Sequence, residues 1–283
     1  MKRFWVLCES MVLICCTCLS LHAGTNETKK WVTRQLTIEA PFNGIDVSSG
    51  IDVVYTQTSG NVHMELTALE DVIERISIEV HDKTLYVKCK PKMGITLFSA
   101  KHKARLQIAA PAITAYKARS SASIVVKYGL KTDQNVYLEV SSAGLIQSQS
   151  IQCANLFLES SSSSDISLEK VQCQSLNAKA SSSGSITVEK VNSSTVIAEA
   201  SSASNVTLLG TCQEATLRSS SASDIDAGQL QSMAVTAQAS SAAKIECHAI
   251  KKLDATTSSA GSIVYSGNAQ VNINKSSKGI KRK

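Results

Sequence analysis

The sequence predicts an all-β fold, a parallel β-helix or solenoid with coils of about 20 residues, and three observations predict it. A Ser-Ser tract recurs as SSASIV from Ser120, SSAGLI from Ser141, SSSSDI from Ser161 and SSSGSI from Ser181, and then as SSASNV from Ser201, SSASDI from Ser220, SSAAKI from Ser240 and SSAGSI from Ser258. A fixed period of this size marks a unit that buries its apolar face only by stacking on its neighbours. The segments on either side of each tract alternate apolar and polar residues, the period of a half-buried strand. The three prolines, Pro41, Pro91 and Pro111, all precede the repeats, so nothing in the repeated part interrupts a ladder of backbone hydrogen bonds.

The chain opens Met1-Lys2-Arg3, continues apolar through Leu21 and reaches the small residues Ala23-Gly24. That is the plan of a secretory signal peptide over residues 1–23. The uninterrupted apolar run from Met11 to Leu21 is too short for a membrane-spanning helix, and no later run is long enough. Export to the periplasm or the outer cell surface is therefore expected. Acylation of Cys16 or Cys18 ranks second, because neither has small residues before it. Residues 24–34 read as a linker.

From 35 to 112 the text is irregular but strand-like. LTIEAPFNGIDVSSGIDVVYTQ alternates, ISIEVHDKTLYVKCK reads as a hairpin around His81-Asp82-Lys83, and TALEDVIER (67–75) reads as a helix of two turns. This lead-in is expected to be nonrepetitive and to cover the first coil, since a solenoid needs a cap.

Residues 113–274 carry the coils. Before the tracts, Val136, Leu138 and Val140 correspond to Leu156, Leu158 and Ser160, then to Leu176, Ala178 and Ala180, and so on to Val235, Ala237 and Ala239. After them, pairs such as Ile166 and Leu168, Ile186 and Val188, and Val206 and Leu208 also point inward. The implied core is a narrow one of Ala, Val and Leu, with the serines stacked at a corner and bonding to nearby backbone. Outward, the series Glu139, Glu159, Lys179, Glu199, Arg218, Gln238 and Thr256 pairs opposite charges between coils. A second outward series holds Tyr137, Phe157 and Ile197, either an exposed contact patch or a stripe covered by a loop. It supplies the candidate binding residues.

The net charge of +6 does not point to nucleic acid. Residues 275–283 contribute five cations without an acid and the leader a net +1, leaving a neutral body. The basic end reads as a frayed, solvated tail that discourages edge pairing. Five cysteines lie beyond the leader: Cys89, Cys153, Cys173, Cys212 and Cys247. Cys153, Cys173 and Cys212 stand at the same place relative to their tracts. Cys153 and Cys173 are thus on adjacent coils, as a disulfide or, preferred here, as stacked small side chains. Among these five, no Cys-x-x-Cys pair or Cys/His cluster suggests a metal, the Gly-Gly-x-Gly-x-Asp calcium pattern is absent, and no cofactor is expected.

A serine nucleophile would need a histidine and an acid, and His248 is the one histidine in the repeats. A polysaccharide lyase or hydrolase would need paired carboxylates or an acid–base cluster in a groove. Asp165 lies three coils from Asp224 and Asp226, and aromatics that could line a sugar groove are scarce. A noncatalytic scaffold or adhesin-like binding protein is the preferred class, and the polysaccharide-processing enzyme the alternative.

Phe42-Asn43-Gly44-Ile45-Asp46-Val47-Ser48-Ser49-Gly50-Ile51-Asp52-Val53, the SSAS-[ND]-[IV] repeats and the ending SIVYSGNAQVNINKSSKGIKRK resemble the family described as putative auto-transporter adhesin, head GIN domain, exported proteins of Bacteroidetes. The resemblance covers about 35–283. It implies a right-handed β-helix, an envelope location and no catalytic residues. The implied partner is an envelope or extracellular ligand, glycan or protein, with self-association also open. Here the repeats read Ser-Ser-Ala where the family more often has Ser-Gly-Ala.

Overall fold

The structure is a computed structural model that describes residues 30–38, 40–90, 104–274 and 277–283. The leader, and with it the expectation of export or acylation, lies outside the described residues, as do most of the linker and Pro91.

The lead-in contains β1 (Trp31–Leu36), β2 (Gly44–Val47), β3 (Asp52–Gln57), β4 (His63–Leu69), the single turn α1 (Glu70–Ile73), β5 (Ile76–His81), β6 (Thr84–Cys89) and β7 (Ala104–Ala110). The first coils follow as β8 (Ala115–Arg119), β9 (Ser123–Lys127), β10 (Leu130–Lys131), β11 (Val136–Ser141), β12 (Leu145–Gln152) and β13 (Asn155–Ser160). Then come five long strands that bend at mid-length: β14 (Asp165–Ala180), β15 (Ser185–Ala200), β16 (Asn205–Ser219), β17 (Asp224–Ala239) and β18 (Lys244–Thr257). The chain closes with β19 (Ser262–Ser266), β20 (Gln270–Ile273) and β21 (Ile280–Arg282).

Two faces run along the stack. The face that leads into each serine turn is built in the order β5, β6, β2, β8, β11, β13, the second halves of β14 to β18, and β20. The face that leaves the turn runs β1, β4, β7, β3, β9, β12, the first halves of β14 to β18, β19 and β21. Pairing is parallel throughout except at the N-terminal end, where β5 on β6 and β1 on β4 on β7 are antiparallel.

The residues expected to face inward do so. Leu156, Leu176, Val196, Ala215, Val235 and Leu253 stack on one face, and Ile166, Ile186, Val206, Ile225, Ile245 and Ile263 on the other, all buried. Each such Val, Leu or Ile contributes about 1.5–3 kcal/mol on leaving water. The narrow core of Ala, Val and Leu holds few rings, and those lie at one end. Near the cap, Tyr55 and Tyr116 are wholly buried and meet edge to face at 5.7 Å. The Tyr55 hydroxyl donates to Pro111 O at 2.8 Å and accepts from Ile113 N–H at 3.2 Å.

Every serine turn uses two successive residues with positive φ, Ser120-Ser121, Ser142-Ala143, Ser162-Ser163, Ser182-Ser183, Ser202-Ala203, Ser221-Ala222, Ser241-Ala242 and Ser259-Ala260. Left-handed backbone costs an L-residue about 1–2 kcal/mol, and a short side chain without a β-branch tolerates it best. The cost is offset along the stack. Ser121 N–H donates to Ser142 O at 3.0 Å, Ala143 to Ser162 at 3.1 Å, Ser163 to Ser182 at 3.1 Å, and the same bond recurs coil by coil as far as Ala242 to Ser259. The residue after the pair turns inward and must be small: Ala122, Gly144, Ser164, Gly184, Ser204, Ser223, Ala243 and Gly261. Where it is serine, its hydroxyl donates back one coil, Ser164 to Val140 O at 3.0 Å, Ser204 to Ala180 O at 2.9 Å and Ser223 to Ala200 O at 2.8 Å. The corner serines thus divide into exposed turn residues and buried donors.

Four expectations change. The 67–75 segment is strand through Leu69 and helical only from Glu70 to Ile73, because Met64, Leu66 and Ala68 alternate inward against β7. The lead-in is not wholly nonrepetitive: Ser49-Gly50 is a left-handed turn of the same kind, Gly50 N–H donates to Ser120 O at 3.0 Å, and β2 and β3 form the coil before β8 and β9. The first tract aligns one residue later than its text suggests, because Arg119 pairs with Ser141 and so Ser120 stands under Ser142. Finally, the described part of the basic end is not frayed, since β21 pairs with β19 through Ile280 on Ile263. The His81-Asp82-Lys83 hairpin forms as expected, with both Asp82 and Lys83 left-handed.

Candidate functional site

Outward positions on the face entering the turn form columns one coil apart. One column reads Ala115, Tyr137, Phe157, Asn177, Ile197, Thr216, Thr236 and Asp254. Strand alternation makes Tyr137 and Phe157 point away from the core that Leu138 and Leu158 fill. In-register parallel pairing then lays the two rings together, with centroids 4.8 Å apart and an interplanar angle of 8°. They are 48% and 36% exposed, so they form an open patch and not a covered stripe. Ile197 is half-buried in the same column, and Asn177 separates it from Phe157. The three residues are therefore collinear, with only the aromatic pair in contact.

Polar columns flank the rings. Asn155 Nδ2 donates to Asn135 Oδ1 at 2.8 Å on one side. On the other runs the charged series Asp46, Lys117, Glu139, Glu159, Lys179, Glu199, Arg218, Gln238 and Thr256, in the register expected. Lys117 meets Glu139 at 2.6 Å and Arg218 meets Glu199 at 3.3 Å. These half-exposed pairs contribute little stability, about 0–1 kcal/mol each. They fix register and leave the face mixed in charge. Asp46 is different: it is nearly buried and receives Arg119 Nη2 at 2.8 and 2.7 Å, clamping the coil of β2 to that of β8.

The acids named for the enzyme alternative stay where the spacing put them. The ladder runs Asp165, Ser185, Asn205, Asp224, so the carboxylates of Asp165 and Asp224 stay three coils apart. Burial raises the Asp165 carboxyl from its ordinary value, and a hydrogen bond from Ser185 partly opposes that. Asp226 accepts from Gly228 N–H at 3.1 Å. His248 Nδ1 reaches Ser266 Oγ at 2.8 Å, while the neighbouring acid Glu246 binds Lys283 Nζ at 2.6 Å. Among the described residues, no three His, Cys, Asp or Glu side chains gather as a metal site.

Cys153, Cys173 and Cys212 stand at one corner as read from their spacing, and Cys89, Cys153, Cys173, Cys212 and Cys247 are all free thiols. One column at the bend opposite the serine turn holds Cys173, Ser193, Cys212 and Ser232 in register. Cys153 precedes it, because Gln152 pairs with Gln172 and Cys153 N–H donates to Gln172 O at 3.1 Å. Two exposed rings were not singled out by the sequence. Trp31 is 52% exposed on β1, and Tyr128 is 71% exposed in a left-handed turn with Lys127 Nζ 4.8 Å from its ring centroid. The Lys-Tyr-Gly text at 127–129 carried the signal for the second, because Gly129 also has positive φ.

The family model "Putative auto-transporter adhesin, head GIN domain" matches residues 41–185 and again 156–269. No curated protein sequence matches the chain. Among solved structures, a "putative adhesin" from Parabacteroides merdae is 22% identical with a TM-score of 0.68, over 90% of this chain and 97% of that one. A "putative adhesin" from Parabacteroides distasonis is 20% identical, TM-score 0.66, over 90% and 97%. A "putative lipid binding protein" from the same species is 17% identical, TM-score 0.66, over 90% and 98%. At these identities the likeness is one of fold. No helix among the described residues is long and apolar enough to cross a membrane.

Proposed function

The chain belongs to the head GIN domain family, and on that premise we propose that it is an exported, noncatalytic binding protein of the cell envelope, adhesin-like in role. Its ligand, a glycan or a protein, lies against the face that carries Tyr137, Phe157 and Ile197. The observation that carries this reading is the stacked, open pair Tyr137–Phe157. In a chain with 4% aromatic residues, most outward positions are small or polar, and the apolar pair stands among them. Exposed aromatic area with a polar rim is the composition of a contact centre. The two rings are pre-ordered by the coils beneath them, so binding costs little side-chain entropy.

The test is Phe157→Ser, alone and with Tyr137→Ser, measured against an immobilised panel of glycans and extracellular-matrix proteins. Binding by the parent chain should weaken at least tenfold in the double variant while its far-UV CD and melting temperature stay unchanged. Equal binding would remove this face as the site, and loss of folding would make Phe157 a core residue. Protease shaving of intact against lysed cells tests the location. Degradation on intact cells fits surface exposure, and protection until lysis fits the periplasm.

A further inference from the structure

We infer that Cys153 and Cys173 form a binding site for one soft monovalent cation, Cu(I) or Ag(I), held in line between two thiolates. The inference is independent of the aromatic face and stands on the other corner of the coil.

The geometry begins with register. Cys153 and Cys173 occupy equivalent positions on adjacent coils, continuing the pairing of Gln152 with Gln172. In-register parallel neighbours sit about 4.8 Å apart. That spacing lies within the backbone range of a disulfide, but in-register side chains point the same way rather than at each other, so closing one requires both to turn. A linear sulfur–metal–sulfur unit spans about twice a metal–thiolate bond of ~2.3 Å, close to the coil spacing as it stands. The stack that disfavours oxidation therefore favours two-coordinate ligation.

The surroundings fit that ligand set. The two thiols line a concavity of about 310 Å³ with Gln152, Gln172, Asn192, Ser193, Ser194 and Gln213, so an ion can enter. No carboxylate and no imidazole is among the lining residues, and the next member of the column, Ser193, offers a hydroxyl 3.8 Å from Cys173 Sγ. Zinc asks for four ligands of the Cys, His or carboxylate type. A soft d10 ion is content with two thiolates. Binding converts two thiols and one M⁺ into an S–M–S unit of charge −1 and releases two protons. The amide and hydroxyl groups of the concavity suit that delocalised anion. A thiol must lose its proton to ligate the ion, so affinity should fall as pH is lowered.

The experiment titrates Ag(I), and Cu(I) under a competing chelator, into the full chain with Cys8, Cys15, Cys16 and Cys18 replaced by serine in every arm. One ion per chain is expected, with a thiolate-to-metal ultraviolet band, with proton release, and with tighter binding at pH 8 than at pH 6. Cys173→Ser should abolish the band and the tight binding while CD shows the coils intact. Cys212→Ser, which removes a thiol bonded to Ser232 at 3.2 Å, should change neither. The proposal is overturned if Cys173→Ser binds like its parent. It is also overturned if the folded parent binds no ion, or if mass spectrometry of the aerobic protein finds Cys153 and Cys173 oxidised to each other.

Discussion

Replacing Ser223 by alanine should cost the protein only about 0.5–1.5 kcal/mol, although its hydroxyl is buried in a dense polar network. Ser223 Oγ lies 2.8 Å from Ala200 O, 2.7 Å from Ser220 O, 2.8 Å from Ser219 Oγ and 3.2 Å from Ser220 N. A hydroxyl has one hydrogen, so it serves one carbonyl at a time. After its removal Ser220 N–H still donates to Ala200 O at 3.0 Å, and Ser219 Oγ still donates to Ser223 O at 2.9 Å. No buried donor is orphaned, so the larger penalty for an unsatisfied group does not arise. The fold contains its own controls, because Ala122 and Ala243 fill the equivalent place in other coils. Ser223→Val is the contrasting change. It adds bulk where Gly144, Gly184 and Gly261 carry no side chain, and overpacking costs about 1–3 kcal/mol before any loss of the hydroxyl. Far-UV CD melts should show a drop of about 2–4 °C per kcal/mol for a domain of this size. A loss above ~3 kcal/mol in Ser223→Ala would mean that the hydroxyl column itself holds the coils together, and a harmless Ser223→Val would show the corner to be loosely packed.

Gly184→Ala should destabilise by about 1–3 kcal/mol in urea denaturation, since its Cβ would fall 2.4 Å from Ser160 O and 2.8 Å from Ser160 Oγ; a neutral result would contradict that approach. Arg119→Ala should cost about 1–2 kcal/mol, the lower part of the range for charged hydrogen bonds because Arg119 is half-exposed and water can replace it. It strips both hydrogen bonds from the nearly buried Asp46, and an unchanged denaturation midpoint would dismiss the clamp. Cys247 gives a pH prediction. Burial, aided by Glu246, pushes its thiol from an ordinary value of 9.0 up to about 12. The folded value is raised, so the contribution is whole below pH ~9 and is lost as pH rises toward 12, by at most ~1.4 kcal/mol per pH unit. Stability of the parent should fall more steeply than that of Cys247→Ala between those limits, and parallel curves would refute the shift.

Much of this architecture could be read from the text because it is written in two simple codes. The serine period gives the coil, and alternation gives the facing, so Leu158 inward and Phe157 outward follow from parity alone. What escaped has physical reasons. Both residues of a Ser-Ser pair suit a left-handed turn, so the text does not say which one begins it: the repeat spacing sets Ser120 beside Ser141, whereas it stands under Ser142. Tyr55 and Tyr116 are alternating residues like any others, and nothing local tells that the two opposed faces of adjacent coils both send a ring into the same space. The 67–75 segment carries the helix formers Ala68, Leu69, Glu70, Glu74 and Arg75, yet pairing of β4 with β7 claims its first residues. The columns of the candidate site were legible, whereas the ring geometry was not, because spacing fixes which residues neighbour each other but not how their planes lie.

The coil-to-coil hydrogen bonds of the ladders all run along the stack, and the chain enters at the capped end and leaves at β20 and β21. Tension applied between the two termini therefore loads the interfaces in series, each opened by peeling and not by shearing a whole sheet at once. A released coil of about 20 residues pays out roughly 70 Å of extended chain, while the coils behind it keep their faces. For a molecule fixed at one end and held by a ligand at the other, the same repetition that builds the rod would make it a stepwise extensible tether.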